Sequence, residues 1–328
     1  MTRVLTAVAA AGLLAAMSAP ARAQEDPVDI AVTIGMIGDV VENVGGDCVE
    51  VTTIMGAGVD PHLYQASASD VRTFQRADVI FYSGYALEGQ LGDVLARFSK
   101  EKPTVAVSPA SVDPGELITT QDVYGIDPHI WMDVSLWSRI APTIAETLAE
   151  LRPDCADPFA ANAEAYQAEL EALHAWVGEA IATIPEAQRS LVTAHDAFAY
   201  YGRAYGIEVA GIQGISTEAE ASVADIRATA DLVAQTGVPA VFIESTINPR
   251  TIQAVVDAAR EQGNEVEIGG SLYSDAMGEE GTAAGTYIGM IFENTVNVVQ
   301  ALGGEVPPVP DALMSWAEEW DVAAMLAE

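Results

Sequence analysis

Four histidines are spread over 328 residues, few enough for each to be judged by its setting. His62 closes Gly58-Val59-Asp60-Pro61-His62, just past the second β-rich run. His129 closes Asp127-Pro128-His129, in a loop after the fourth. His195 follows Leu191-Val192-Thr193-Ala194, at the end of the first β-rich run of the second half. A neutral imidazole is a good donor for divalent transition metals. Open α/β sheets bind their ligands just outside the carboxyl ends of strands. One histidine at such an end is ordinarily structural, but three there, drawn from both halves, point to a metal site in a cleft between them. His174 is the contrast. It sits between Leu173 and Trp176 beside an apolar helical stripe, with no ligand neighbour, and is expected to be structural. A fourth ligand could come from Glu244 in Phe242-Ile243-Glu244-Ser245 or Asp275 in Leu272-Tyr273-Ser274-Asp275. Asp275 precedes a Gly-rich approach to a helix and can face the cleft. Glu244 could instead orient a ligating imidazole, or cap or pair with the following helix. Calcium does not suit this set, because it takes oxygen ligands.

The elements that must carry these side chains alternate. Short β-branched runs at 29–35, 49–55, 78–83 and 103–108 are followed by helical stretches near 36–44, 67–76, 89–98 and 133–150. The second half repeats the order, with strands near 190–194, 208–213, 239–244 and 265–270 and helices near 197–205, 222–236, 249–262 and 284–302. Such alternation predicts parallel sheets with crossover helices, in two similar α/β lobes. Between them Phe159, Ala163, Tyr166, Leu170, Leu173, Val177, Ile181 and Ile184 recur at steps of three and four, bracketed by Pro158 and Pro185. A helix over 159–184 would be about 39 Å long and would join the lobes stiffly, so any closure should be modest. The expected division is a leader at 1–23, an N-terminal lobe at 24–158, the linking helix and a C-terminal lobe at 185–328.

Composition bounds the partners. The formal charge is −34, and loss of Arg3 and Arg22 with a leader would take it to −36. No basic stripe is available for phosphates, which excludes nucleic acid and argues against anionic lipid. Met1-Thr2-Arg3, an apolar run over 4–18 and Ala21-Arg22-Ala23 ahead of Gln24 form an export signal with a cleavage site. The run is shorter than the roughly 20 residues a membrane span needs. No cysteine adjoins the cleavage point, so the mature protein is expected free in the periplasm, as a monomer. Cys48 and Cys155 are the two cysteines, and in an oxidising compartment they are expected to pair.

Six segments together carry a resemblance. Gly-Val-Asp-Pro-His-Leu-Tyr at 58–64, Asp-Pro-His-Ile-Trp-Met-Asp at 127–133 and Val-Thr-Ala-His-Asp-Ala-Phe at 192–198 resemble the metal-binding receptor (solute-binding protein) family of ABC importers, of the TroA type. Gly-Ile-Gln-Gly-Ile-Ser-Thr at 211–217, Phe-Ile-Glu-Ser at 242–245 and Ser-Asp-Ala-Met-Gly at 274–278 extend it over nearly the whole mature chain. The resemblance implies two lobes, each with a four-stranded, mainly parallel sheet flanked by helices, joined by one long rigid helix. It implies a buried site with His62, His129, His195 and Asp275 as ligands. It also implies the partners: an inner-membrane permease with its cytoplasmic ATPase. Some manganese receptors have Glu at the third position, so His195 groups this chain with the three-His, one-Asp members. Zinc-dedicated relatives often carry a His-rich loop before the second Asp-Pro-His; residues 111–126 contain no histidine, a departure from that subtype that weakens a zinc-only reading. Zn²⁺ suits such a tetrahedral set, while a bidentate Asp275 would suit Mn²⁺ or Fe²⁺.

Two other functions use the same parts. A periplasmic metal-dependent hydrolase would keep three histidines and an open coordination position for water. Yet no His-Glu-x-x-His, Gly-x-Ser-x-Gly or phosphate-cradling Gly-x4-Gly-Lys-Ser/Thr occurs in the chain. An adhesin on the same fold would need a surface anchor. A carrier, not an enzyme, is therefore the expectation.

Overall fold

The computed structural model describes residues 26–120 and 125–322; the leader expected at 1–23 lies outside them. In chain order the elements are β1 (Val28–Ile34), α1 (Gly35–Gly45), β2 (Val49–Met55), α2 (Ala68–Arg76), β3 (Val79–Tyr82), α3 (Gly92–Phe98), β4 (Thr104–Ala106) and α4 (Val107–Ser111). They continue with α5 (Val134–Trp137), α6 (Ile140–Leu151), α7 (Ala156–Ala182), β5 (Ser190–His195), α8 (Ala199–Tyr205), β6 (Glu208–Gln213) and α9 (Val223–Thr236). The chain closes with β7 (Ala240–Glu244), α10 (Arg250–Glu261), β8 (Glu267–Leu272), α11 (Tyr287–Ala301) and α12 (Met314–Glu319). Among the described residues no helix is long and apolar enough to cross a membrane.

The first sheet has the order β2-β1-β3-β4 and is parallel throughout. Its central β1 is buried on both faces, as a sheet covered by crossover helices requires. The second lobe departs from the expected four-stranded sheet. Its strands form two parallel pairs, β5-β6 and β7-β8. β5 and β7 still lie side by side. At their carboxyl ends the His195 N–H donates to the Glu244 carboxylate, at 2.8 Å, instead of to a neighbouring strand's carbonyl. Period-two alternation then divides the core. Leu191, Ala240 and Phe242 face the large cluster that also holds α7 and α11. Val192, Ala194 and Val241 face a smaller one, made with Val233, Val255 and Val256 of α9 and α10.

The linking helix runs Ala156–Ala182, starting three residues earlier than expected and ending two earlier. Pro158 falls in its first turn, where a missing N–H breaks no intrahelical bond. The whole predicted apolar stripe is buried, against α1, α5, α6, α8 and α11. The single helix expected at 133–150 is instead two, α5 and α6. Pro142 has no N–H for the Ser138 carbonyl, and its ring would clash there. That carbonyl accepts from Gln167 Nε2 of α7, at 3.2 Å. Cys48 and Cys155 form a disulfide, which ties the approach to β2 to the start of α7 across 107 positions.

Candidate metal centre

Each of the four expected ligands reaches the centre from a loop or strand end at the carboxyl side of a sheet. His62 follows β2, His195 is the last residue of β5, and Asp275 lies three residues beyond β8. His129 stands at the end of the long connection from β4, in the turn before α5. One donor atom from each lies within 4.8 Å of all the others, and all four residues are buried. His62 Nε2 and His129 Nε2 are 3.3 Å apart. Asp275 Oδ1 lies 3.3 Å from His129 Nε2, while Oδ2 lies 3.2 Å from His195 Nε2 and 3.7 Å from His62 Nε2. Four donors about 2.05 Å from a tetrahedral ion sit about 3.3 Å from one another. The separations therefore match a cage for one transition-metal ion. Among the described residues no well-formed hydrogen bond reaches either Asp275 oxygen or His195 Nε2. An ion would satisfy these buried atoms, which are otherwise expensive to leave bare. Both carboxylate oxygens face imidazoles, so Asp275 could hold an ion through one oxygen or through both.

Behind two of the imidazoles stands a carboxylate. Glu244 Oε2 meets His195 Nδ1 at 2.5 Å, and Asp127 Oδ1 meets His129 Nδ1 at 2.7 Å. A carboxylate here only accepts, so each Nδ1 carries a proton and each Nε2 is aimed at the centre. Of the two residues considered for the fourth ligand, Asp275 faces the cage and Glu244 stands behind His195. Asp127 and Asp60 were not singled out in the sequence; the signal was the repeated Asp-Pro-His. In both copies the aspartate accepts the N–H of the histidine two residues on. Trp131 was also missed. Its ring lies 5.3 Å from that of His129, and its Nε1 donates to the Ser274 carbonyl, next to Asp275.

The electrostatics differ from imidazole to imidazole. Burial pushes His62 down to about 4, against the pull of Asp275 and with the help of the other two rings. Burial also opposes charge on His129, but the Asp127 and Asp275 carboxylates overcome it and lift the ring to about 9. His195 is raised well above the ordinary histidine value, because Glu244 and Asp275 outweigh its burial. Burial alone would raise Asp275, yet His195 and His129 hold it well below the usual carboxylate range. His174 takes no part. It lies on α7, with Nδ1 3.1 Å from the Tyr205 hydroxyl.

Residues 30–301 match the family model described as ZnuA, the periplasmic component A of a zinc-uptake complex. The chain is 42% identical over 281 residues to the manganese-binding lipoprotein MntA of Bacillus subtilis (strain 168), covering 86% of this chain and 92% of that protein. It is 41% identical over 305 residues to the zinc-binding protein TroA of Treponema pallidum (strain Nichols), covering 92% and 98%. The solved structure of the periplasmic zinc-binding protein TroA from Treponema pallidum superposes with a TM-score of 0.82 at 42% identity, over 84% of this chain and 99% of that one. The two relatives are named for different metals at almost equal identity, so likeness alone does not divide zinc from manganese.

Proposed function

The chain belongs to the ZnuA family of periplasmic metal-uptake components, and we propose that it is the solute-binding component of an ABC importer that captures Zn²⁺ or Mn²⁺. The bound ion is cargo, passed to a membrane permease whose cytoplasmic ATPase supplies the energy. The observation that carries this is the buried convergence of three imidazoles and one carboxylate. In this proposal His62, His129, His195 and Asp275 are the ligands, held by Asp127 and Glu244 from behind. Irving–Williams ordering favours Zn²⁺ over Mn²⁺ at any such nitrogen-rich site, so the cargo depends on supply as well as on ligand type.

We further propose a carrier and not a hydrolase, because Asp275 fills the position that a metal-bound water would need. No observation supports an adhesin. The segments 24–158 and 185–328 act as jaws, and α7, packed along its length, keeps their movement small. Export through a cleaved leader and a free, monomeric life in the periplasm belong to the same proposal. MntA is named a lipoprotein, whereas here both cysteines are joined to each other. That supports a form without a thiol-linked lipid. Intact-mass measurement of the exported protein is expected to find a chain starting at Gln24, and a lipid adduct would overturn this part.

The function itself is tested by metal analysis of protein isolated from its native periplasm, paired with competition titration of Zn²⁺ against Mn²⁺. One equivalent of a transition metal is expected. A metal-free protein that also fails to bind either ion on titration would sink the proposal.

A further inference from the structure

The loops that carry the four proposed ligands are fastened across the cleft in different ways. Among the described residues, 127–131 around His129 are tied to the second lobe by three hydrogen bonds. Trp131 Nε1 donates to the Ser274 carbonyl at 2.8 Å, the Tyr287 hydroxyl to the Trp131 carbonyl at 2.6 Å, and the Tyr200 hydroxyl to the Asp127 carbonyl at 3.0 Å. The His62 loop meets the second lobe elsewhere. Asp60 uses Oδ1 to hold the His62 N–H and turns Oδ2 outward, where it accepts from the Thr217 hydroxyl at 2.5 Å. Thr217 is buried, in the loop after β6. Beneath, the His62 carbonyl lies so close to Gly89 that a Cβ there would come within 2.6 Å of it. The loop is thus seated on its own lobe by contact and joined to the other lobe by a charge-assisted hydrogen bond.

We propose that Thr217 is a positioning residue that latches the His62 loop to the second lobe and thereby sets how fast the captured metal leaves. This rests on the carrier reading above. The four ligands are buried, so release requires parts of the cleft to separate. Parting the His62 loop from the second lobe breaks the Asp60–Thr217 bond. A hydrogen bond to a charged group is strong enough to slow that step by about tenfold or more. The hydroxyl touches no proposed ligand atom, so its loss should act on escape and leave capture largely intact.

The test uses the full mature chain loaded with Zn²⁺ and mixed with an excess of a chromogenic chelator in a stopped-flow instrument. Thr217→Val keeps the volume and removes the donor. It is expected to release Zn²⁺ about tenfold faster, with the association rate changed less than about twofold. Thr217→Ser restores a hydroxyl and should bring release back toward the parent rate, which a packing role would not. If Thr217→Val does not fold, Thr217→Ser compared with Thr217→Ala carries the same contrast. Equal release rates with and without the hydroxyl would overturn the latch while leaving the carrier function intact. If the parent chain binds no Zn²⁺ at all, the carrier reading falls, and the latch with it.

Discussion

The tripeptide Asp-Pro-His occurs at 60–62 and again at 127–129. Both copies make the same turn, with the aspartate Oδ1 accepting the histidine N–H at 2.9 Å and 3.0 Å. They then part. Asp127 Oδ1 also takes His129 Nδ1, at 2.7 Å, so the carboxylate charge is spent on the ring. Asp60 turns its second oxygen away, to Thr217. Burial disfavours charge on both rings; at His129 the Asp127 and Asp275 carboxylates outweigh it and lift the ring to about 9, whereas at His62 burial prevails and pushes the ring to about 4. A local sequence therefore fixes the turn, and the surroundings fix the protonation of its histidine. With these residues as the proposed ligands, the first turn offers a neutral imidazole, and the second a cation that would give up a proton on binding.

The largest expected effect treats the two turns alike. His62→Ala, His129→Ala and His195→Ala should each weaken Zn²⁺ binding by well over about 100-fold, since loss of a partner behind a ligand already costs 10–100-fold. Competition titration against a chelator of known affinity checks this. A variant among the three that binds like the parent would remove that residue from the ligand set.

The next largest effect separates the turns. Below about pH 9 the metal-free His129 holds a proton at Nε2, and His195, raised well above the ordinary histidine value by Glu244 and Asp275, holds another. An incoming ion displaces both, while His62 has none to lose until the pH nears 4. Affinity should therefore fall as pH falls through the neutral range, by up to about 100-fold per pH unit if two protons leave. Calorimetry at pH 7 in buffers of different ionisation enthalpy counts them directly. About two released protons are expected for the parent and about one for Asp127→Ala. A count of zero would mean that both rings are neutral in the metal-free protein, and the contrast between the turns would collapse.

A smaller effect concerns the aspartates themselves. Asp127→Ala removes the carboxylate behind His129 and should weaken binding by about 10–100-fold. Asp60→Asn leaves an oxygen for the His62 N–H and an amide that can pair with the Thr217 oxygen, so a change of under about threefold is expected. Equal losses would show that the two turns support metal binding in the same way.

These contrasts also mark what could be read from the chain. Three histidines following β-rich runs located most of the cage, because strand ends in α/β sheets are where ligands gather. Between Glu244 and Asp275 the residues alone left the fourth ligand open. The resemblance pointed to Asp275; in the structure its carboxylate lies against His195 Nε2, while Glu244 lies against His195 Nδ1. Pairing of Asp60 with Thr217 was not legible, since 157 positions separate them and no periodicity connects two loops on different lobes. The division of the second sheet into pairs was equally hidden, because alternation of strands and helices does not say which neighbouring strands complete a ladder. The break between α5 and α6 was visible in principle. Pro142 announced it, but the apolar spacing through 133–150 masked the missing donor.

The smallest expected effect is the most discriminating control. His174 is the one histidine outside the cage, held on α7 beside Tyr205, with ring centroids 5.2 Å apart. The Tyr205 hydroxyl that meets its Nδ1 also accepts the Val134 N–H, at 3.4 Å, so the contact helps to seat α5 against α7. His174→Ala should cost about 1 kcal/mol of stability, the scale of one hydrogen bond, and leave Zn²⁺ affinity and the proton count unchanged. Thermal melts of the metal-free protein and the same calorimetry check both halves. If affinity fell here as it does at His129, the losses at the two Asp-Pro-His turns would reflect damage to the fold, and their protonation difference would no longer explain metal capture.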